Sequence, residues 1–236
     1  MVQCGRAAVG KYGFLPPRAR HAACFPADGL VWKPAALRSE DAARERIPGD
    51  PMTPNDYFRA LLEVATVVNS SLEPAVVLRK ITEQTARAMN CKASTIRLLN
   101  RTGDILLASA DYGLSEGYLR KGPVEVGKSG LDADVLAGRL IHLRDATSDG
   151  RFQYPENARA EGLVSVLSSP LVANSKAIGI LRVYSAVERD FSDDECSFMQ
   201  GVANISAVAI ANARMHEALR KNYELLTSYN YQVFED

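Results

Sequence analysis

The stretch Glu161–Ser185, EGLVSVLSSPLVANSKAIGILRVYS, decides how this chain folds. Its two halves, Leu163–Val172 and Ala177–Ser185, are rich in β-branched residues and flank a turn of small polar residues at Asn174-Ser175-Lys176. Two such runs around such a turn predict a β-hairpin. The second half is apolar on both faces apart from Arg182. A strand of that kind belongs in the middle of a sheet covered on both sides. The rest of the chain is expected to pack around it.

Upstream of the hairpin, residues Ala146–Ala160 are polar and read as a long irregular loop, of the kind that usually carries function. Before it come a strand at Leu140–Leu143, a short helix at Leu131–Ala137, a short edge strand at Pro123–Val126, and a hairpin formed by Ala93–Leu99 and Ile105–Ala110. Two helices open this part of the chain. The first is expected from an N-cap at Asn55, with an apolar stripe of Phe58, Leu61, Leu62, Ala65 and Val68; the second starts at Pro74 and buries Val77, Leu78, Ile81 and Thr85. Downstream, Ser192-Asp193-Asp194-Glu195 is a capping box that starts a long helix. Its apolar positions run from Phe198 and Val202 through Leu219, Tyr223 and Leu226 in heptad-like steps.

Bulk properties exclude several classes. The 236 residues carry a formal net charge of +0, which argues against nucleic-acid binding by bulk electrostatics. No apolar run approaches a membrane span, so no membrane partner is expected. Four scattered cysteines, Cys4, Cys24, Cys91 and Cys196, give neither a disulfide framework nor a metal-ligand spacing, and suit a reducing cytoplasm. Residues 1–51 hold eight basic and five acidic side chains, repeated prolines and no sustained period, and are expected to be a disordered extension.

Taken in order, these pieces resemble a GAF domain, a small sensory module of signalling proteins. The resemblance spans Tyr57–Glu217 and rests on Ala93-Ser94-Thr95-Ile96-Arg97-Leu98-Leu99-Asn100, Gly138 with Ile141-His142-Leu143-Arg144-Asp145, and Ser165 to Pro170-Leu171 with Ile178-Gly179-Ile180-Leu181. It implies an α+β fold: a GAF/PAS-like antiparallel sheet with terminal helices on one face, and small helices and loops over a ligand pocket on the other. The domain is expected over residues 52–215. Residues 216–236 extend the last helix as a candidate coiled coil for a homodimer.

The resemblance also frames the chemistry. Bilin-binding members attach the chromophore through a pocket cysteine, and methionine sulfoxide reductases of this type need pocket cysteines. No cysteine lies between Lys92 and Glu195, so a covalent bilin there and the reductase reaction are excluded. Haem and metal are not expected, because His142 is the lone histidine of the sheet and is read as a hydrogen-bonded structural residue. Ser165, His142 and Asp145 can be written as a triad, but nothing resembling a nucleophile elbow surrounds the serine, and catalysis is not expected.

Arg97 and Arg182 stand out because each interrupts an otherwise apolar strand. A buried arginine needs an anionic partner. That partner is either a carboxylate or phosphate ligand, or an internal acid such as Asp145 or Glu161. By family position the other pocket candidates are Thr95, Asp145, Phe152, Tyr154, Leu163, Ser165, Leu167 and Tyr184. The function so implied is a sensory module that binds an unidentified small molecule, anionic if the arginines face it and not an internal acid, and relays its occupancy through the terminal helices to a separate output protein. The alternative is a ligand-free GAF scaffold for dimerisation or adaptor contacts.

Overall fold

Pro54 opens the first helix, α1 (Pro54–Val68), in the computed structural model, which describes residues 52–69 and 73–232, with side chains through residue 227. The expected extension over residues 1–51 lies outside the described residues. Proline suits the first helical position because the N–H it lacks would have no partner there. Thr53 is the cap, in a reciprocal capping box with Asp56. The expected cap, Asn55, lies inside the first turn. The buried stripe is also rotated from the expected one: Tyr57 and Val64 are buried, while Phe58 and Leu62 are 59% and 52% exposed.

Helix α2 (Pro74–Ala88) buries Val77, Leu78, Ile81, Thr82, Thr85 and Ala86 against the sheet. The sheet has six strands: β1 (Ala93–Leu99), β2 (Ile105–Tyr112), β3 (Val124–Glu125), β4 (Ile141–Leu143), β5 (Ser165–Ala173) and β6 (Lys176–Ser185), in the order β3-β2-β1-β6-β5-β4. All its pairings are antiparallel. The strand whose two apolar faces demanded an interior place, β6, lies between β1 and β5. Asn174 and Ser175 both adopt positive φ, 51° and 61°, as a two-residue turn matched to strand twist requires.

One face of the sheet packs on α2 and on α6 (Asp193–Gln232), with α1 lying against both helices. Ser192 and Glu195 close the expected capping box of α6. Its first turns bury Phe198, Met199, Val202, Ala203 and Ser206. At 40 residues the helix is about 60 Å long, and beyond Ile210 it has left the core. The other face is covered by α3 (Glu116–Leu119), α4 (Gly130–Leu136) and α5 (Pro155–Glu161), which share a second buried cluster with it.

Two of these covering helices are corrections. Residues Ala146–Ala160 are expected to be irregular, yet Pro155–Ala160 form all but the last residue of α5, which is stopped by Gly162 in the left-handed conformation. Tyr154 precedes α5 without a side-chain cap, leaving Pro155 at its start and Gly162 at its end as its local signals. Helix α3 spans a single turn and is too short to show a period.

Candidate functional site

Backbone register assembles the site. Arg182 pairs with Thr95 on one side and with Ser168 on the other, and Arg97 pairs with Ile180. Side chains alternate along each strand, so Thr95, Arg97, Ser168, Arg182 and Tyr184 all project to the face under α3, α4 and α5. Both arginines are buried, at 3% and 4% exposure. The β1–β2 register shifts between Ile96 and Arg97, where Ser109 is the extra residue of β2. Such bulges re-aim neighbouring side chains and cluster near sites.

Arg182 has an internal partner. Its Nη2 is ion-paired to Asp132 on α4, and its Nε donates to Ser168 Oγ at 2.7 Å. Asp132 is 2% exposed, and its second oxygen accepts from Ser129, the N-cap of α4. Burial works against the Arg182 charge, but the adjacent carboxylate holds the guanidinium above its ordinary range. Phe152 lies 5.6 Å from this guanidinium, ring centroid to Cζ.

Arg97 has no such partner. It makes no ion pair among the described residues, and its buried Nε and Nη2 have no hydrogen-bond acceptor. Thr95 Oγ1 is likewise buried and unpartnered, and the buried hydroxyls of Tyr118 and Tyr184 make no hydrogen bond of ordinary geometry, although Tyr184 interacts with both Tyr118 and Arg182. The two tyrosine rings meet edge to face, 6.2 Å between centroids. Burial, then the neighbouring Tyr184, pushes the Tyr118 phenol up, while Arg182 and Arg97 oppose the shift.

Lys121 completes the group from the turn after α3. Its ammonium sits 3.4 Å from the Tyr118 ring centroid and 5.1 Å from that of Tyr154. Burial pushes it down to about 6, and Arg97 and Arg182 push the same way. The folded state therefore resists protonating a lysine that the unfolded chain protonates below its ordinary 10.5. The resulting penalty is absent above about pH 10.5, grows as pH falls, and is complete below about pH 6. Lys121→Met is expected to stabilise the protein by about 1–3 kcal/mol at pH 7 and to flatten the rise of stability with pH, as measured by urea unfolding from pH 6 to 10. An unchanged pH slope would show that Lys121 titrates freely.

Several expected site residues lie elsewhere. Leu167 faces α2 and α6, because it is one residue out of phase with Ser168. Ser165 is at the sheet end, where Oγ donates to Arg144 O at 2.6 Å and accepts from the Arg189 amide at 2.8 Å. Asp145 organises its own turn through Thr147 and Ser148, whose hydroxyls hold its carboxyl below the usual range. Neither Asp145 nor Glu161 pairs with an arginine of the sheet. Tyr154 borders the site and donates to Pro123 O at 2.8 Å, and Leu163 and Phe152 belong to the buried cluster beneath the covering helices. His142 meets Arg189 O through Nε2 at 3.1 Å and stacks edge-on against Phe191.

The sequence reading missed Asp132, Tyr118, Lys121 and Ser168. Asp132 had a signal: an acid three residues after Ser129, on the same helical face as Leu131 and Val135. The face expected to carry an open pocket is packed, with Tyr118, Phe152 and Tyr184 in one buried cluster. An open groove of about 200 Å³ lies instead between α1 and α6, lined by Pro54, Tyr57, Phe58, Leu61, Asp194, Ser197 and Phe198. Burial pushes the Cys91 thiol up to about 12, a quiet thiol. Among the described residues, no three His, Cys, Asp or Glu side chains converge to hold a metal, and no helix is long and apolar enough to cross a membrane.

The profile of the GAF domain family matches residues 73–210. The GAF domain of a phosphoenolpyruvate-protein phosphotransferase from Coxiella burnetii superposes with a TM-score of 0.64 at 21% identity, covering 71% of this chain and 99% of that one. A methyl-accepting chemotaxis protein fragment gives 0.57 at 19% identity, over 66% and 99%. A free methionine-R-sulfoxide reductase from Neisseria meningitidis gives 0.60 at 15% identity, over 71% and 95%. No curated protein matches the chain.

Proposed function

Because this chain belongs to the GAF domain family, we propose that it is a sensory or regulatory module of signal transduction that binds a small molecule on the covered face of its sheet and relays occupancy to a separate partner. The observation that carries this reading is the set of buried polar groups of Thr95 and Arg97 that have no partner, beside the poorly satisfied hydroxyls of Tyr118 and Tyr184. Folded proteins satisfy almost all such groups, because each one left unpaired costs about 1–3 kcal/mol. A cluster of them on one face calls for a partner from outside the chain. The reading is of a cytoplasmic, non-enzymatic module that uses no bilin, haem or metal.

The strands supply the route for the relay. Arg97 faces the site while Ile96 and Leu98, its neighbours in β1, pack with the cluster formed by α2 and α6. A ligand that favours one placement of β1 therefore biases the helices as well, a shift of populations between two packings. On α6, Val208, Met215, Leu219 and Leu226 are 58–68% exposed, with spacings of seven, four and seven residues. That spacing supports a two-stranded coiled-coil seam, and a homodimer through this helix would carry the bias outward. The same seam favours the second reading, a dimerising scaffold with no ligand.

Thermal shift of the full chain against nucleotides, amino acids and small carboxylates, with sedimentation of the same samples, tests the proposal. One compound class raising the melting midpoint of a dimer is the expected result. A dimer whose midpoint no class moves would leave the scaffold reading in its place.

A further inference from the structure

We propose that the covered face takes a small carboxylate or phosphate anion, anchored by Arg97 and closed over by Lys121; this rests on the ligand-binding reading above and specifies the ligand's chemistry. Three basic side chains share this face. Lys121 Nζ and Arg182 Cζ lie 5.9 and 5.6 Å from the centroid of the same Phe152 ring, and Arg97 is two residues along β1 from Thr95, the register partner of Arg182. Burial and the two guanidiniums hold the lysine largely neutral. Of the two internal acids that act on Lys121, Asp132 is committed to Arg182 and Ser129, and the Glu161 carboxylate is committed to the amide and hydroxyl of Ser115. With Lys121 held down to about 6, the two guanidiniums face the two carboxylates, and Arg97 is the one with no carboxylate in ion-pair contact. A guanidinium that is 97% buried and unpaired persists only if its partner arrives from solution.

The neighbouring groups fit an anion and no cation. Thr95 Oγ1, Tyr118 Oη and Tyr184 Oη can each donate, and no unpaired carboxylate lies among them. Thr95 and Arg97 are two residues apart on one strand face, about 7 Å, and the adjacent strand lies about 5 Å away. Seen from Lys121, the charged and titratable neighbours are Arg97 on β1, Arg182 on β6, Tyr118 on α3, Asp132 on α4 and Glu161 on α5, with Tyr154 beside its ammonium. An anion placed among them restores the lysine's charge, so binding takes up a proton and is tighter at pH 6 than at pH 8.

The experiment is calorimetry and thermal shift on the full chain with inorganic phosphate, acetate and succinate, and with the neutral isosteres acetamide and succinamide. Binding of phosphate alone or of a carboxylate alone assigns the source of the charge; either supports the proposal if Arg97→Met weakens it at least tenfold and Arg97→Lys by less. In anion-free buffer Arg97→Met is expected to melt above the wild type, because it removes a buried unpaired charge. Binding of the neutral isosteres but not the anions overturns the proposal and keeps the ligand reading. No response to any of these probes overturns the proposal and leaves the ligand reading to the wider panel above. An anion response unchanged in Arg97→Met, or a lower melting midpoint for that variant without anion, shows Arg97 to be structural and overturns the proposal alone.

Discussion

Asp132→Ala is expected to destabilise the protein by about 3–5 kcal/mol, because it leaves the Arg182 guanidinium buried among neutral groups with no counter-charge. For a domain of this size that is a fall of roughly 6–20 °C in melting midpoint. Asp132 also accepts from the N-cap serine of α4, so the variant loosens the helix that covers the site. The pair itself is a different matter from either member. Removing both charges with Asp132→Leu and Arg182→Met is expected to recover most of the loss, since well-packed apolar side chains often replace a buried ion pair at little cost. Calorimetric melting of the single and double variants reads both effects. A single variant within about 1 kcal/mol of the wild type would mean that water reaches Arg182.

Gly179→Ala is expected to cost about 2–4 kcal/mol, although a methyl group is the smallest addition a side chain can make. Gly179 faces Leu98 in the β1–β6 pairing. A Cβ there would sit 2.3 Å from the carbonyl oxygen of Arg97 and 2.9 Å from Leu98 Cδ2. The first contact is with backbone, which cannot rotate away, so β1 itself must shift. The displaced residue is the one that carries the unpaired guanidinium, and any anion affinity should fall along with stability. Urea unfolding measures the first effect. Stability equal to the wild type would show that the two strands can separate locally without loss.

Much of the fold was legible. The β-branched halves around Asn174-Ser175 form the hairpin, and the absence of an outward polar face on Ala177–Tyr184 placed that strand in the sheet interior. The capping box at Ser192 was equally plain, because two residues, Ser192 and Glu195, carry its whole signal. Legibility failed where the signal was short or shared. Helix α3 has too few residues for a period, and α5 lacks a capping side chain. On α1 both Phe58 and Tyr57 are credible core residues, and only packing against the other helices chose Tyr57.

The sequence by itself determined that this chain builds a GAF sheet and that two arginines interrupt its most apolar strands, because side-chain alternation and β-branched runs are local properties. Only the tertiary structure decided what each arginine meets. Asp132 lies fifty residues before Arg182 in the chain, and the docking of α4 on the sheet brings the two together. That same docking leaves Arg97 without an acid. Charge pairing depends on distances between elements remote in sequence, and no local pattern encodes them.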